Sequence, residues 1–149
     1  MASTVIMRNF KRGLLSNEFD LDSDTLYVAL LSGTQSIATS AFEQMINFSE
    51  AQVYETSGTN YVAGGIALSA KPIYLNGSTA VWDCEDALWS NVTLNTDGCV
   101  IYKKVTNAND SPLICFIDLY SLPTVGVKSP LNGDFILQFN SLGIFNLLS

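Results

Sequence analysis

The chain has 149 residues, 48% of them hydrophobic and only 14% charged, with a net charge of −7. That length suits one domain with a real core and no need of metal or disulfide staples, and the hydrophobic share excludes a wholly disordered chain. There is no histidine, which removes the commonest general base and metal ligand.

The charge is unevenly placed. Arg8, Lys11 and Arg12 put three basic groups and no acid in the first twelve residues; the remainder holds four basic and fourteen acidic groups, 4 − 14 = −10. An acidic body repels nucleic acid, while the basic start suits an acidic partner surface. The low overall charge fits surfaces buried between subunits, where Lys and Glu are depleted. No sustained apolar region with a small-residue cleavage site follows the basic start, and no apolar stretch reaches transmembrane length. Synthesis in the cytoplasm, with no nucleic acid and no membrane as partner, is the expectation.

Residues 4–16 read TVIMRNFKRGLLS. Val5 or Ile6, Phe10 and Leu14 recur at helical spacing, which predicts a short amphipathic helix with Arg8, Lys11 and Arg12 facing outward. Gly13 counts against it. An acidic turn, Glu18, Asp20, Asp22 and Asp24, leads into Leu26–Leu31, apolar at nearly every position and so a strand covered on both faces. Residues 34–60 read as a long excursion with a little helix in AFEQMINF, anchored by Phe42, Met45, Ile46 and Val53. It either packs over one end of the β domain or stays exposed for contact.

From Tyr61 onward the strands are firmer. Gly64-Gly65 marks a sharp bend or bulge. Asn76-Gly77 marks a hairpin between Ile73-Leu75 and Thr79–Trp82. Leu88-Trp89 and Val92, Cys99–Tyr102, Leu113–Tyr120 and Phe135–Phe139 follow, and Leu142–Phe145 closes the run. Roughly seven to nine strands at this spacing predict one all-β domain over residues 1–149, a jelly-roll-like sandwich or barrel with a short N-terminal helix.

Candidate chemistry is sparse. Cys84, Cys99 and Cys115 lack CxxC spacing and sit in apolar settings, so they read as buried free thiols. Asp20, Asp22 and Asp24 offer oxygen ligands to calcium, but no EF-hand Gly or Glu stands at the required offset; a solvated acidic turn is the simpler reading. Asp83, Glu85 and Asp86 lie near Trp82 and Trp89, a combination seen in sugar hydrolysis, yet a turn between strands accounts for them. No cofactor motif occurs: Gly58, Gly64 and Gly65 lack a strand-to-helix context and a lysine. Tyr54, Tyr61, Tyr74, Tyr102 and Tyr120 could stack on sugars or bases, but scattered through strands they read as core edges and interface anchors.

The order of these pieces resembles a family of small structural proteins of tailed-bacteriophage virions. The matching segments are FKRGLLSNEFDLDSDTLYVALLS, YETSGTNYVAGGIAL, AVWDCEDALWSNVTL, CVIYKK, PLICFIDL and GDFILQFNSLGIFNL. Asn60 stands where that family commonly has glycine, and asparagine tolerates the same left-handed backbone. The resemblance covers nearly the whole chain. It implies a non-enzymatic capsid decoration, or cement, protein on the outer capsid surface of the virion, a homotrimer clamping neighbouring major capsid proteins. A tail, neck or fibre-associated virion protein is the alternative it leaves open, and a carbohydrate-binding module the competing class. The candidate contact residues are Arg8, Lys11 and Arg12 of the N-terminal segment and Phe42, Met45, Ile46, Tyr54 and Tyr61 of the excursion and its end.

Overall fold

The computed structural model describes residues 3–140 and 143–147. The fold is an all-β sandwich with antiparallel sheets and few helices. Among the described residues the ten strands are β1 (Val5–Ile6), β2 (Leu26–Leu31), β3 (Ile66–Ala67), β4 (Ile73–Asn76), β5 (Thr79–Trp82), β6 (Ala87–Val92), β7 (Gly98–Lys103), β8 (Leu113–Asp118), β9 (Gly133–Leu137) and β10 (Phe145–Leu147). The helices are α1 (Arg8–Leu15), α2 (Thr39–Gln44) and α3 (Phe48–Ala51). The sheets run β1-β8-β7-β2-β3, β10-β5-β4 and β6-β9. That order does not establish the two Greek keys of a jelly roll. Leu142, part of the expected closing run, lies outside the described residues.

The five-stranded sheet forms because its central strands have no polar face to offer water. All six residues of β2 are apolar, and only Tyr27 is not fully buried. β7 beside it and β8 beyond β7 are built in the same way, with Cys99, Val100, Ile101, Ile114 and Phe116 sealed from solvent. β2 pairs with β7 from Leu26↔Lys103 to Leu31↔Gly98. One buried cluster joins these strands to Trp82 of β5, Trp89 of β6 and Leu137 of β9.

At the N-terminus the expected helix starts late. Val5 and Ile6, both β-branched, extend as β1 and pair with Phe116 and Cys115 of β8. Only from Arg8 does the chain turn helical, with Phe10 and Gly13 facing inward three residues apart. The burial of Gly13 explains its presence: a Cβ there would stand 2.7 Å from a ring carbon of Phe19.

Between β2 and β3 the excursion folds back onto the sheet rather than reaching outward. Phe42 of α2 stacks on Phe116, centroids 4.1 Å apart, and Phe48 of α3 stacks on Tyr102 at the same separation. The Glu50 carboxylate accepts from the N–H groups of Ile46 and Asn47, closing the start of α3. The bend at Gly64-Gly65 brings the backbone against β2. Gly65 has φ +81, and a Cβ there would lie 1.9 Å from the Val28 carbonyl oxygen, so no other residue fits. Asn60 adopts φ 62, the left-handed value its side chain tolerates.

Candidate interaction surface

α1 carries Arg8 and Arg12 one turn apart on the side away from Phe10, and both are exposed. α2 lies beside α1, and the chain leaving α2 carries Ile46 to the same place. The result is a shallow basin of about 330 Å³ lined by Arg8, Asn9, Arg12, Gln44 and Ile46. Ile46 is held by its backbone: its N–H donates to Glu50 at 2.9 Å and its carbonyl accepts from Leu113 at 2.8 Å. Its side chain stays 46% exposed at the rim. Lys11 pairs with Glu43 of α2 at 3.9 Å across open surface, a contact worth little by itself. Neither Arg8 nor Arg12 makes an ion pair among the described residues. Two guanidiniums are therefore presented to solvent with their donors uncommitted to any carboxylate among the described residues.

Four of the candidate contact residues are placed otherwise. Phe42 is fully buried and belongs to the core, not to a surface. Its aromatic face is stacked on Phe116, and Tyr54 lies tilted beside it, centroids 6.1 Å apart. Tyr54 and Met45 are half-buried against the same cluster. Tyr61 is turned into the molecule: its hydroxyl accepts from the Leu30 N–H at 3.0 Å and donates to Glu55 at 2.8 Å. Burial, and then the neighbouring Glu55 charge, push its phenol far above the usual range. Glu55 also accepts from the Gly64 N–H, and the Tyr102 hydroxyl donates to the Gly64 carbonyl. These residues hold the Gly64-Gly65 bend in place. In sequence they look like interface aromatics because an aromatic in a loop carries no sign of which way it points.

The acidic clusters are spent on turns. Asp20 accepts from the N–H groups of Asp22 and Ser23, and Asp24 accepts from the N–H of Asp20. Hydrogen bonds from Ser23 hold the Asp20 carboxyl below its usual range. Asp24 meets the Lys103 ammonium at 3.1 Å. Among the described residues no three Asp, Glu, Cys or His side chains gather to hold a metal. Asp83 accepts from the Cys84 N–H, Glu85 from the Ser69 hydroxyl and Asp86 from the Phe139 N–H. Trp82 and Trp89 are core residues, 3% exposed. Cys84, Cys99 and Cys115 are buried free thiols, and burial pushes Cys84 and Cys115 up to about 12. A thiol held neutral in this way is a poor nucleophile.

Two apolar surfaces were not singled out in the sequence. An open groove of about 830 Å³ runs between the end of β8, the 122–130 loop and β9, with Leu119, Phe135, Leu137 and Ile144 in its lining. It borders Asn140 and Gly143, where the described residues break off. The second surface is β4, exposed at all four positions although three of them are Ile73, Tyr74 and Leu75. An uninterrupted Ile-Tyr-Leu before a tight turn is the signal that was available: a hairpin strand with no polar face has nowhere to put one apolar side unless something covers it.

No family model matches the chain, and no curated protein and no solved structure matches it.

Proposed function

We propose that the protein is a non-enzymatic bacteriophage capsid decoration protein that binds the outer shell and bridges neighbouring major capsid proteins. The observation that supports this reading is the basin at α1 and residue 46. It joins two segments that are far apart in sequence, both singled out as contact candidates, and it is basic on an otherwise acidic molecule. Arg8 and Arg12 offer planar, forked donors suited to carboxylates in bidentate contact. Ile46 supplies an apolar rim that excludes water around them. The basin alone is smaller than a specific interface, which buries about 1,200–2,000 Å² in all. Binding by several copies at once makes up the difference: in an oligomer each copy engages a different capsid protein, and the linked contacts act together. Opposing the separation of capsomers in this way stabilises the shell against outward pressure.

Imaging of intact particles tests the placement directly. Decoration requires many symmetry-related copies across the shell with α1 facing the capsid protein; a few copies confined to the neck or tail overturn it. Binding tests the chemistry: Arg8→Glu with Arg12→Glu abolishes uptake by undecorated shells while circular dichroism and melting of the isolated protein stay unchanged. Undiminished uptake by this variant removes the basin from the interface.

A further inference from the structure

We infer that the free edge of β4 pairs with β4 of a second copy about a two-fold axis, making one continuous six-stranded sheet. The inference goes beyond the decoration reading and does not depend on it. β4 and β5 form a hairpin with Ile73↔Trp82, Tyr74↔Val81, Leu75↔Ala80 and Asn76↔Thr79 opposite each other. The loop is Gly77-Ser78, with Gly77 at φ 62. In a two-residue hairpin the flanking pair exchanges both backbone hydrogen bonds, and every second residue repeats the pattern. Asn76, Tyr74 and Pro72 therefore turn their backbone groups toward β5, and Asp83 accordingly donates its N–H to the Pro72 carbonyl at 3.1 Å.

Ile73 and Leu75 turn theirs the other way. β4 is the edge of its sheet, and no described residue hydrogen-bonds these outward groups. Natural edges are blunted by charge, by an internal proline or by a bulge. β4 has none of these: it reads Ile-Tyr-Leu-Asn, its register with β5 is unbroken, and Pro72, before it, faces β5 and so takes no donor from the free edge.

The two outward residues are placed symmetrically about Tyr74. An antiparallel second copy that sets Ile73 opposite Leu75, and Leu75 opposite Ile73, satisfies both N–H groups and both carbonyls in each chain, four hydrogen bonds in all. Tyr74 then meets its own copy on the axis. The apolar face is matched as well. Ile73 and Leu75 share a face with Ala80, Trp82, Phe145 and Leu147 through the pairings of β5 with β4 and β10. Trp82 and Phe145 cover Phe10's side of the core, with centroids 5.0 Å apart. Ile73, Leu75 and Leu147 continue that face into solvent at 56%, 75% and 59% exposure. Pairing two copies sets these strips edge to edge, and no charged side chain on β4 opposes it. A second copy is thus the occupant whose hydrogen-bonding register and surface chemistry are both on the page. Such a contact is isologous and yields dimers.

The test uses the full chain in sedimentation and crosslinking. The protein is expected to show a concentration-dependent monomer–dimer equilibrium. Leu75→Pro removes only the outward N–H, and Leu75→Lys sets an ammonium on the strip; each weakens the dimer roughly tenfold or more. Circular dichroism confirms that both variants fold. Register is read by cysteine. Tyr74→Cys sits on the axis, with Cα atoms about 4.5 Å apart, within disulfide reach. Under oxidised glutathione it crosslinks to itself. Asn76→Cys, on the same face, faces its copy at roughly 13 Å and does not. The native thiols are buried and stay out of the reaction. A protein monomeric throughout, an oligomer whose mass is unaffected by the Leu75 changes, or equal crosslinking at positions 74 and 76 overturns the proposal. So does capture of β4 only by a different protein.

Discussion

Gly13 separates two physical readings of the same residue. In a solvent-facing helix, replacing glycine by alanine gains about 1 kcal/mol from propensity alone. Here the added methyl would meet Phe19 at 2.7 Å, and Phe19 is itself fixed edge-on against Phe10, centroids 4.8 Å apart. Displacing a buried ring costs about 1–3 kcal/mol. Set against the propensity gain, Gly13→Ala is therefore expected to destabilise the protein by up to about 2 kcal/mol in denaturant unfolding. The sign is the test: a gain in stability would mean that the helix is not pressed against Phe19. In a Phe19→Leu background, where the ring is gone, the cost of alanine should shrink or reverse.

At the scale of elements, the excursion between β2 and β3 divides into an inward and an outward part only a few residues apart. Phe42→Ala removes a ring stacked at 4.1 Å on Phe116 and is expected to cost about 3–5 kcal/mol in unfolding. Ile46→Ala, at the rim of the basin, is expected to leave stability nearly unchanged while weakening shell binding. Equal effects of the two on stability would show that residue 46 also belongs to the core. This division marks how far the sequence could be read. β2, β7 and β8 were legible because strands buried on both faces are written as continuous apolar runs. The excursion was legible as a unit but not in its facing, because Phe42, Met45 and Ile46 are equally apolar and α2 is too short to show a period. The same limit applies to Tyr61. Its role rests on Glu55 and on the Leu30 backbone, and the second of these is brought near only by the fold. The basic basin was half legible: Arg8 and Arg12 were evident, whereas their meeting with Gln44 and Ile46 depends on α2 lying beside α1.

For the whole molecule, the two proposed contacts respond to salt in opposite directions. Docking through Arg8 and Arg12 brings unlike charges together over a few ångströms, although the chain as a whole carries −7. Added salt screens that attraction, with a Debye length of about 8 Å at physiological ionic strength, and binding to shells should weaken. Pairing through β4 involves no charge on the strand, but it brings two chains of −7 together, so its electrostatic term is repulsive. Screening the repulsion and strengthening apolar burial both favour the dimer, which should tighten as salt rises. Measuring shell uptake and sedimentation over the same salt series distinguishes the two. Opposite trends are expected for the unaltered protein. In Arg8→Glu with Arg12→Glu the dimer should persist and still tighten with salt, whereas Leu75→Lys should weaken the dimer at every salt concentration and leave the salt trend of docking unchanged. If both associations weaken together as salt rises, the dimer is held by charge pairs, and the pairing through an uncharged β4 edge is wrong.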